Sequence, residues 1–181
     1  MPIISDYTVF GHSKNGEIII ESNQDFICPE CKKGILKKRC RVRRHIRKEI
    51  TGDKVWYLIP VGKCDNASCC KQLRLLPDFM VPYKHFESKA ISDVRDEKIT
   101  RNSPVVCPSV RTMQSWLAWF EANLILMEGI LRSVGYRVLG FGEELLFSEL
   151  SLVDQLRLRS KDWFKKITRF IYNSGHQLMP I

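Results

Sequence analysis

Two closely spaced pairs of cysteines are the residues whose types and spacing best suit a chemical role in this sequence. The first pair is Cys28 and Cys31, in the run Cys-Pro-Glu-Cys, and the second is Cys64 and Cys69, with Cys70 directly after it. Two such turns joined by a hairpin are typical of a zinc ribbon, in which four thiolates hold one Zn²⁺ at about 2.3 Å. Either Cys69 or Cys70 could supply the fourth thiolate, and the shorter loop favours Cys69. The sequence therefore predicts a Zn²⁺ site formed by Cys28, Cys31, Cys64 and Cys69.

The composition is that of a globular protein in a reducing, cytoplasmic compartment. The 181 residues, 44% of them hydrophobic, suffice for one or two small domains. No apolar run approaches the roughly 18 residues of a membrane span, and the N-terminus lacks the basic start and apolar stretch of a signal peptide. Paired cysteines in a reducing compartment favour metal over disulfides, with buried or redox-active thiols as the alternative. Cys40 and Cys107 have no paired neighbour, so we expect them to be small core residues.

The net charge of +9 is concentrated in the segment that joins the cysteine pairs. Between Lys32 and Lys54 there are eleven Lys or Arg and two acids, whereas the rest of the chain carries 18 basic and 18 acidic residues. Side chains alternate along a strand, so the run 39–47 would divide between a cationic face of Arg39, Arg41, Arg43, His45 and Arg47 and an inner face of Cys40, Val42, Arg44 and Ile46. A surface of one sign attracts polyanions, although a solvated basic face is the alternative. The predicted nucleic-acid contacts of this segment are Arg39, Arg41, Arg43, Arg44, Arg47 and Lys48.

Turn residues around this segment predict two hairpins. Asn15-Gly16 between Tyr7–Phe10 and Glu17–Glu21 predicts an N-terminal hairpin. Thr51-Gly52-Asp53 predicts the turn from the basic strand into a return strand over Val55–Val61. We therefore expect the first part of the chain to be rich in β-structure.

Prolines predict an extended connector before the helical part of the chain. Pro77 and Pro82 prevent a continuous helix across the apolar run between them. A helix is predicted from about Pro82 to Val94. Its buried side is expected to carry Phe86, Ala90, Ile91 and Val94.

A second helix is predicted to begin after Ser109, which is a suitable N-cap, and to end near Gly135. Its apolar stripe is expected to contain Val110, Met113, Trp116, Leu117 and Phe120. The opposite side of its first turns carries groups that donate to base edges and phosphates, as in the second helix of a helix-turn-helix. An ordinary amphipathic helix is the alternative. The predicted nucleic-acid contacts here are Ser109, Arg111, Thr112, Gln114 and Ser115.

Two further helices are predicted near the C-terminus. One runs from Glu144 to about Arg159, after a break at Gly140 and Gly142, and the other from Asp162 to about Tyr172. The predicted fold class is α+β, with a β zinc ribbon followed by an all-α region that contains the helix-turn-helix. The expected domains are the zinc ribbon with the N-terminal hairpin (1–78), a helix-turn-helix-like domain (79–135) and a C-terminal helical extension (136–181).

Several of these features together resemble a bacterial family of unestablished function that joins a Cys-Pro-x-Cys ribbon to a helix-turn-helix. The residues that carry the resemblance are Cys28–Cys31, the Cys69 turn, the run Leu76–Lys84 and the helix Ser109–Phe120, with Thr112, Trp116, Trp119 and Phe120 in it. The resemblance covers residues 26 to about 125. It implies zinc binding by the four cysteines and a DNA-binding role associated with mobile elements, in the bacterial cytoplasm near the nucleoid.

We expect a binding protein and not an enzyme. The favoured function is recognition of duplex DNA as a regulator or as an accessory factor of a transposon or phage, with RNA as the other nucleic acid a basic ribbon could bind. The alternative is an adaptor that docks onto a larger nucleoprotein complex, such as a transposition or RNA-guided machinery, through protein contacts. A metal-dependent nuclease or transposase is disfavoured, because such enzymes need clustered carboxylates for Mg²⁺. The closest acidic groups in the sequence are Glu143 with Glu144, and Asp93 with Asp96 and Glu97.

Overall fold

The computed structural model describes residues 1–48, 51–104, 108–138 and 149–180. Within them the chain has the predicted α+β character, with strands first and helices after. The strands are β1 (Ile3–Ile4), β2 (Tyr7–His12), β3 (Ile18–Ser22), β4 (Leu36–Arg47), β5 (Lys54–Cys64), β6 (Gln72–Arg74) and β7 (Leu76–Pro77). The described helices are α1 (Ser88–Arg95), α2 (Val110–Val138), α3 (Leu152–Arg159) and α4 (Trp163–Asn173).

Both predicted hairpins are confirmed. β2 and β3 pair antiparallel across a turn in which Gly16 has a φ of 82°, a conformation that glycine adopts without strain. β4 and β5 pair antiparallel from Leu36 opposite Cys64 to Arg47 opposite Lys54. The long hairpin therefore brings the first cysteine pair beside the second.

The main sheet has five strands and is mixed. Its order is β2-β3-β5-β4, with β6 also paired to β5; β3 and β5 run parallel and the other pairs antiparallel. β1 and β7 form a separate two-stranded parallel sheet. β4 lies at an edge of the main sheet, and among the described residues its outer side is bridged only at Arg47, which pairs with Phe86.

The two faces of the main sheet differ because side chains alternate along each strand. The inner face is the side of the sheet that carries Ile20, Ile46, Tyr57 and Ile59. These residues are 0%, 1%, 8% and 0% exposed and belong to the core. The outer face carries the cross-strand row of Phe10, Ile19, Leu58 and Arg43, together with Trp56 and His45.

α1 begins six residues later than predicted. It starts at Ser88, because the backbone before it is engaged elsewhere: Arg47 N–H donates to His85 O (2.7 Å), and Ser88 N–H to Phe79 O (2.8 Å). Tyr83, with a φ of 63°, is also far from helical geometry. The predicted inward-facing residues Phe86, Ala90, Ile91 and Val94 are buried, although Phe86 precedes the helix.

α2 begins as predicted and is longer than expected. The Thr112 N–H donates to Ser109 Oγ at 3.3 Å, which is the bond expected of an N-cap, and the helix continues to Val138. Met113, Trp116 and Phe120 are buried as expected. Val110 and Leu117 are 44% and 38% exposed, so the apolar stripe is narrower than predicted.

The last helix, α4, packs on α2 through aromatic rings. Trp119 meets Phe164 edge-on at 6.2 Å between ring centroids, and Phe120 meets Trp163 at 5.7 Å. α4 confirms the predicted last helix. The predicted start at Glu144, the break at Gly140 and Gly142, and the expectations for Cys107 and Glu143 lie outside the described residues. None of the helices in the described part of the chain is long and apolar enough to cross a bilayer.

Candidate metal centre and basic surface

Four cysteine sulfurs converge where the β4–β5 hairpin meets the two cysteine turns. The Sγ atoms of Cys28, Cys31, Cys64 and Cys69 all lie within 4.8 Å of one another. Cys28 Sγ is 3.8 Å from Cys69 Sγ, and Cys31 Sγ is 3.7 Å from Cys64 Sγ. Four sulfurs at about 2.3 Å from a tetrahedral ion are about 3.8 Å apart, whereas a disulfide bond is about 2.05 Å long. The spacing therefore fits four ligands of one metal ion and does not fit two disulfides.

The first cysteine turn is closed by backbone hydrogen bonds. Cys28 N–H donates to Gly34 O (2.7 Å) and Lys32 N–H to Cys28 O (2.8 Å). Lys32 has a φ of 55°, which turns the chain sharply after Cys31. The Gly34 N–H in turn donates to Cys31 Sγ at 3.4 Å. Such N–H···S bonds stabilise a thiolate that binds metal.

The second cysteine turn is organised by Asn66. Its carbonyl oxygen accepts from Cys69 N–H (2.9 Å) and Cys70 N–H (3.0 Å), and its Oδ1 accepts from Ser68 N–H (3.0 Å). This geometry places Cys69 in the cluster and leaves Cys70 outside it. The Cys70 thiol is exposed and lies 3.3 Å from Ala67 O.

The two turns are joined directly to each other. Asp65 N–H donates to Ile35 O (3.0 Å), and Ile35 N–H donates to Asp65 Oδ1 (2.7 Å). A Cβ added to Gly34 would lie 2.5 Å from Cys64 Sγ and 2.8 Å from Asp65 Oδ1. Only a residue without a side chain fits between the turns at this distance.

The thiols of the metal-free centre differ in acidity. Backbone hydrogen bonds from Gly34 and Lys33 lower the pKa of Cys31 to about 6. Burial raises the pKa of Cys64 to about 12. Cys31 is therefore the more acidic of the two thiols, and Cys64 must lose its proton when a metal binds.

The cationic strand is partly neutralised within the protein. Glu21 pairs with both Lys38 and Arg41, and Glu17, which is 3% exposed, pairs with Arg43 at 2.8 Å. Glu21 in β3 and Glu17, the residue before β3, thus balance the charges of Arg41 and Arg43 on the outer face.

Arg44 is held inside the protein. Its Nη2 atom donates to Val81 O and to Lys84 O, both at 2.8 Å, and burial lowers the pKa of its guanidinium. The predicted nucleic-acid contact at this position therefore has its guanidinium engaged in joining β4 to the connector before α1.

Cys40 is exposed, so its prediction as a small core residue is wrong. A bulge interrupts the β4–β5 register between Lys38 and Cys40, and all residues from Lys37 to Arg41 are exposed on this edge strand. At an edge strand with neither face covered, alternation does not distinguish an inner side from an outer one.

Cations without a carboxylate partner remain at both ends of the hairpin. At the cysteine end, Lys37 lies directly opposite Lys63. An open groove of about 450 Å³ there is lined by these two residues together with Lys38, Arg39, Cys64, Asp65 and Cys70. At the far end, Arg47 lies opposite Lys54, with exposed Lys48 next to it. No carboxylate of the described residues pairs with Lys37, Arg39, Lys63, Arg47, Lys48 or Lys54.

The sequence predicted nucleic-acid contacts at Arg39, Arg47 and Lys48 but not at Lys37 and Lys63. The register of the β4–β5 hairpin is the feature from which the pairing of Lys37 with Lys63 could have been predicted. It follows from joining the two cysteine pairs, which places like charges opposite each other.

The predicted contacts on α2 lie at its exposed start. Arg111, Gln114 and Ser115 are exposed, and Thr112 is half-buried, with its hydroxyl 2.9 Å from Ser109 Oγ. Residues 96–109 separate α1 from α2, whereas the turn of a helix-turn-helix has about three to four residues. Trp116 packs edge-on against Phe86 at 5.0 Å, which places the start of α2 near the far end of the β4–β5 hairpin.

Fold and centre together define an α+β protein whose sheet region carries a four-cysteine cluster that could hold a metal ion. Residues 28–116 match a family model described as "Domain of unknown function (DUF6431)". The matched segment begins at the first cysteine of the cluster and ends within α2. Comparison with curated proteins gave no match, and comparison with solved structures gave none either.

Proposed function

We propose that this chain is a zinc-binding protein that binds nucleic acid, with duplex DNA as the favoured ligand. The observation that carries the proposal is the joining of two features in one hairpin. The four-cysteine cluster lies at one end of β4 and β5, and both ends of the same hairpin carry cations that have no carboxylate partner among the described residues. The proposal treats this part of the chain as a zinc ribbon.

Zinc is the proposed metal because two short cysteine turns joined by a hairpin supply the four thiolates, as in a zinc ribbon. Four sulfur ligands in tetrahedral geometry suit zinc or iron, and a site closed by four protein ligands has a structural role. Cys28 and Cys64 are 0% and 2% exposed, so such an ion would be enclosed by the two turns. Elemental analysis of freshly purified protein should give about one zinc per chain.

The proposed binding to nucleic acid is tested by its salt dependence. Each phosphate that a cation neutralises contributes close to one unit to the slope of log affinity against log salt on duplex DNA. We expect measurable binding of zinc-loaded protein to a short duplex at low salt and a steep loss of affinity as salt rises. Absence of binding to DNA and RNA at low salt would overturn the proposal.

Sequence choice is proposed to come from the start of α2, used as a recognition helix that follows a longer connection than the turn of a helix-turn-helix. Arg111 and Gln114 are exposed there, and their side chains pair in two-pronged fashion with guanine and adenine. Arg111→Ala and Gln114→Ala should each cost about 1–3 kcal/mol on a selected site and little on random duplex. Equal losses on every sequence would remove the helix-turn-helix role while leaving phosphate binding intact.

A place in a mobile element, which the sequence resemblance implies, is part of this proposal. Identification of the target site would test it.

The second candidate is an adaptor that binds a protein of a nucleoprotein complex. Exposed apolar side chains favour it: Ile125 and Leu158 are 87% and 88% exposed. A protein that binds no nucleic acid alone, yet joins a complex through these residues, would support the adaptor over direct binding.

A further inference from the structure

Trp56 differs from the other tryptophans in its place in the fold. The chain has four tryptophans, and Trp116, Trp119 and Trp163 are 5%, 2% and 1% exposed in the core. Trp56 lies on the outer face of the sheet and is only half-buried. An indole at a surface is a large apolar group with a polar edge, which is typical of binding sites.

Trp56 belongs to a set of planar groups that we call the aromatic cluster: Arg43, Trp56, His45 and His85. His45 lies 4.9 Å from Trp56 between ring centroids and stacks on His85 at 4.5 Å, with 6° between the planes. The Arg43 guanidinium lies 4.3 Å over the Trp56 ring. Burial, and after it the electrostatic influence of His85, lower the pKa of His45, which favours the neutral form of the ring that stacks on His85.

Both ends of the aromatic cluster are open to solvent. The Arg43 side chain is 56% exposed, and His85 is exposed. His85 is held over the end of β4 by the bond from Arg47 N–H to its carbonyl. On the same face, Phe10 is 47% exposed. The outer face therefore offers planar surfaces that no described element of the protein covers completely.

The charge around the aromatic cluster selects a polyanion as its occupant. Glu17 takes up the charge of Arg43, so Arg43 presents mainly its planar face. Arg47, Lys48 and Lys54 lie beside the cluster, and no carboxylate of the described residues pairs with them. Aromatic and guanidinium planes beside unpaired cations are the elements with which proteins bind single-stranded nucleic acid: bases stack on the planes and phosphates meet the cations.

A base inside a duplex has both faces covered by its neighbours. It can stack on a protein ring only when it is unpaired or turned out of the helix. We infer that the outer face of the sheet binds an unpaired nucleotide, whose base stacks on the aromatic cluster and whose phosphates contact Arg47, Lys48 and Lys54. This inference rests on the proposed function and adds the class of nucleic acid: one with an unpaired stretch, in DNA or in RNA.

Intrinsic tryptophan fluorescence tests the inference without mutation, because Trp56 is the accessible tryptophan. Full-length zinc-loaded protein is titrated at fixed salt with short oligothymidylate, oligouridylate and blunt duplex DNA. Binding is measured in parallel by the anisotropy of labelled oligonucleotides. We expect the two single strands to quench Trp56, and the duplex to bind with little quenching.

Trp56→Ala should then weaken binding to both single strands about five- to a hundredfold, and binding to the duplex less than about twofold. Trp56→Phe should restore most of the affinity, because a smaller ring still stacks. His85→Ala, a change at an exposed residue, should lower single-strand affinity in the same direction. Val9→Ala is the control: Val9 is 57% exposed and pairs with Ile20 of the inner face, so binding should not change.

The outcomes separate the inference from the proposed function. Binding of single strands without quenching, or equal losses on single strand and duplex in Trp56→Ala, would overturn the stacking site and leave nucleic-acid binding standing. Fluorescence that changes with protein concentration and not with oligonucleotide would assign the face to a second copy of the chain and overturn the inference. No binding of any nucleic acid at low salt would overturn both. Quenching by one of the two single strands alone would support the inference and show that the site also distinguishes the sugar or the C5 methyl group of the base.

Discussion

At the scale of the residue, the geometry of the candidate metal centre depends on Gly34 as directly as on its cysteines. A Cβ at this position would lie 2.5 Å from Cys64 Sγ, 2.8 Å from Asn66 Cβ and 2.8 Å from Asp65 Oδ1. Cys64 cannot move away without leaving the other three sulfurs. We therefore expect Gly34→Ala to lower metal affinity about 10–100-fold, the range of changes next to metal ligands, measured by competition with a chromophoric chelator.

Gly11→Ala is the matched control for Gly34→Ala. A Cβ at Gly11 has no described atom within 4 Å, so this variant should bind metal as the wild type does. Equal affinity of the Gly34→Ala protein would mean that the two cysteine turns can separate without loss of the centre.

The choice between Cys69 and Cys70 gives a second prediction for single residues. Cys69 Sγ lies 3.8 Å from Cys28 Sγ inside the cluster, whereas the exposed Cys70 thiol faces Ala67 O. Cys69→Ser should lose most of its metal during gel filtration, because a hydroxyl is a poor replacement for a thiolate. Cys70→Ser should keep about one ion per chain. Retention by the first variant and loss by the second would reverse the assignment.

Residue types and spacing predicted which cysteines come together, because the Cys-x-x-Cys turn and the hairpin set a local geometry. They could not predict the state of the arginines. Arg41 and Arg43 meet Glu21 and Glu17 only because β3 lies beside β5, and Arg44 finds its acceptors in the connector 37 and 40 residues away. Such pairings depend on tertiary contacts that alternation along one strand does not contain.

At the scale of the element, β4 acts as an exposed edge that carries cations. Its charges toward the middle are balanced by Glu17 and Glu21, and the groove at the cysteine end keeps Lys37, Arg39 and Lys63 without described carboxylate partners. We expect the triple change of these three residues to Gln to weaken binding to all duplexes alike. The slope of log affinity against log salt should fall by up to about three units.

A control with the same change in net charge shows whether the effect is local. Arg101, Lys161 and Lys166 are exposed and belong to none of the described strands. Their change to Gln should leave the salt slope unaltered. Equal slopes in both triple variants would show that the groove does not contact phosphate and that only total charge matters.

The start of α1 and the exposure of Cys40 could not be predicted from the local sequence. Pro82 is a good first residue for a helix, but the β-bridge between Arg47 and Phe86 holds the next residues extended. The bulge in β4 changes the register between Lys38 and Cys40. Both features come from pairing between distant segments, while the strongly periodic α2 and α4 could be predicted from their own residues.

At the scale of the whole molecule, the cysteine turns are joined to the end of the helical core. Asn173 is the last residue of α4. Its Oδ1 accepts from Ile3 N–H at 2.7 Å, and its Nδ2 donates to Ile3 O at 2.9 Å. Just beyond it, Gly175 has a φ of 89°, and a Cβ there would lie 3.1 Å from the carbonyl oxygen of Pro29, between the first two cysteines. The metal centre thus rests against the end of α4, but the aromatic contacts of α2 with α4 contain none of its ligands.

This arrangement predicts a graded response to metal removal. Without the ion, the two cysteine turns lose the link between them and Cys64 regains its proton, so the turns and the adjoining ends of β4 and β5 should open locally. The packing of α2 on α4 should persist, because its buried aromatic side chains do not depend on the centre. Hydrogen exchange after treatment with a chelator should therefore accelerate about a hundredfold or more in segments 26–36 and 62–72 and change little in α2 and α4. Re-addition of zinc should restore protection in both turns. Equal acceleration in the helices would show that the centre holds the whole fold together, and unchanged exchange in the turns would show that no metal stabilises them.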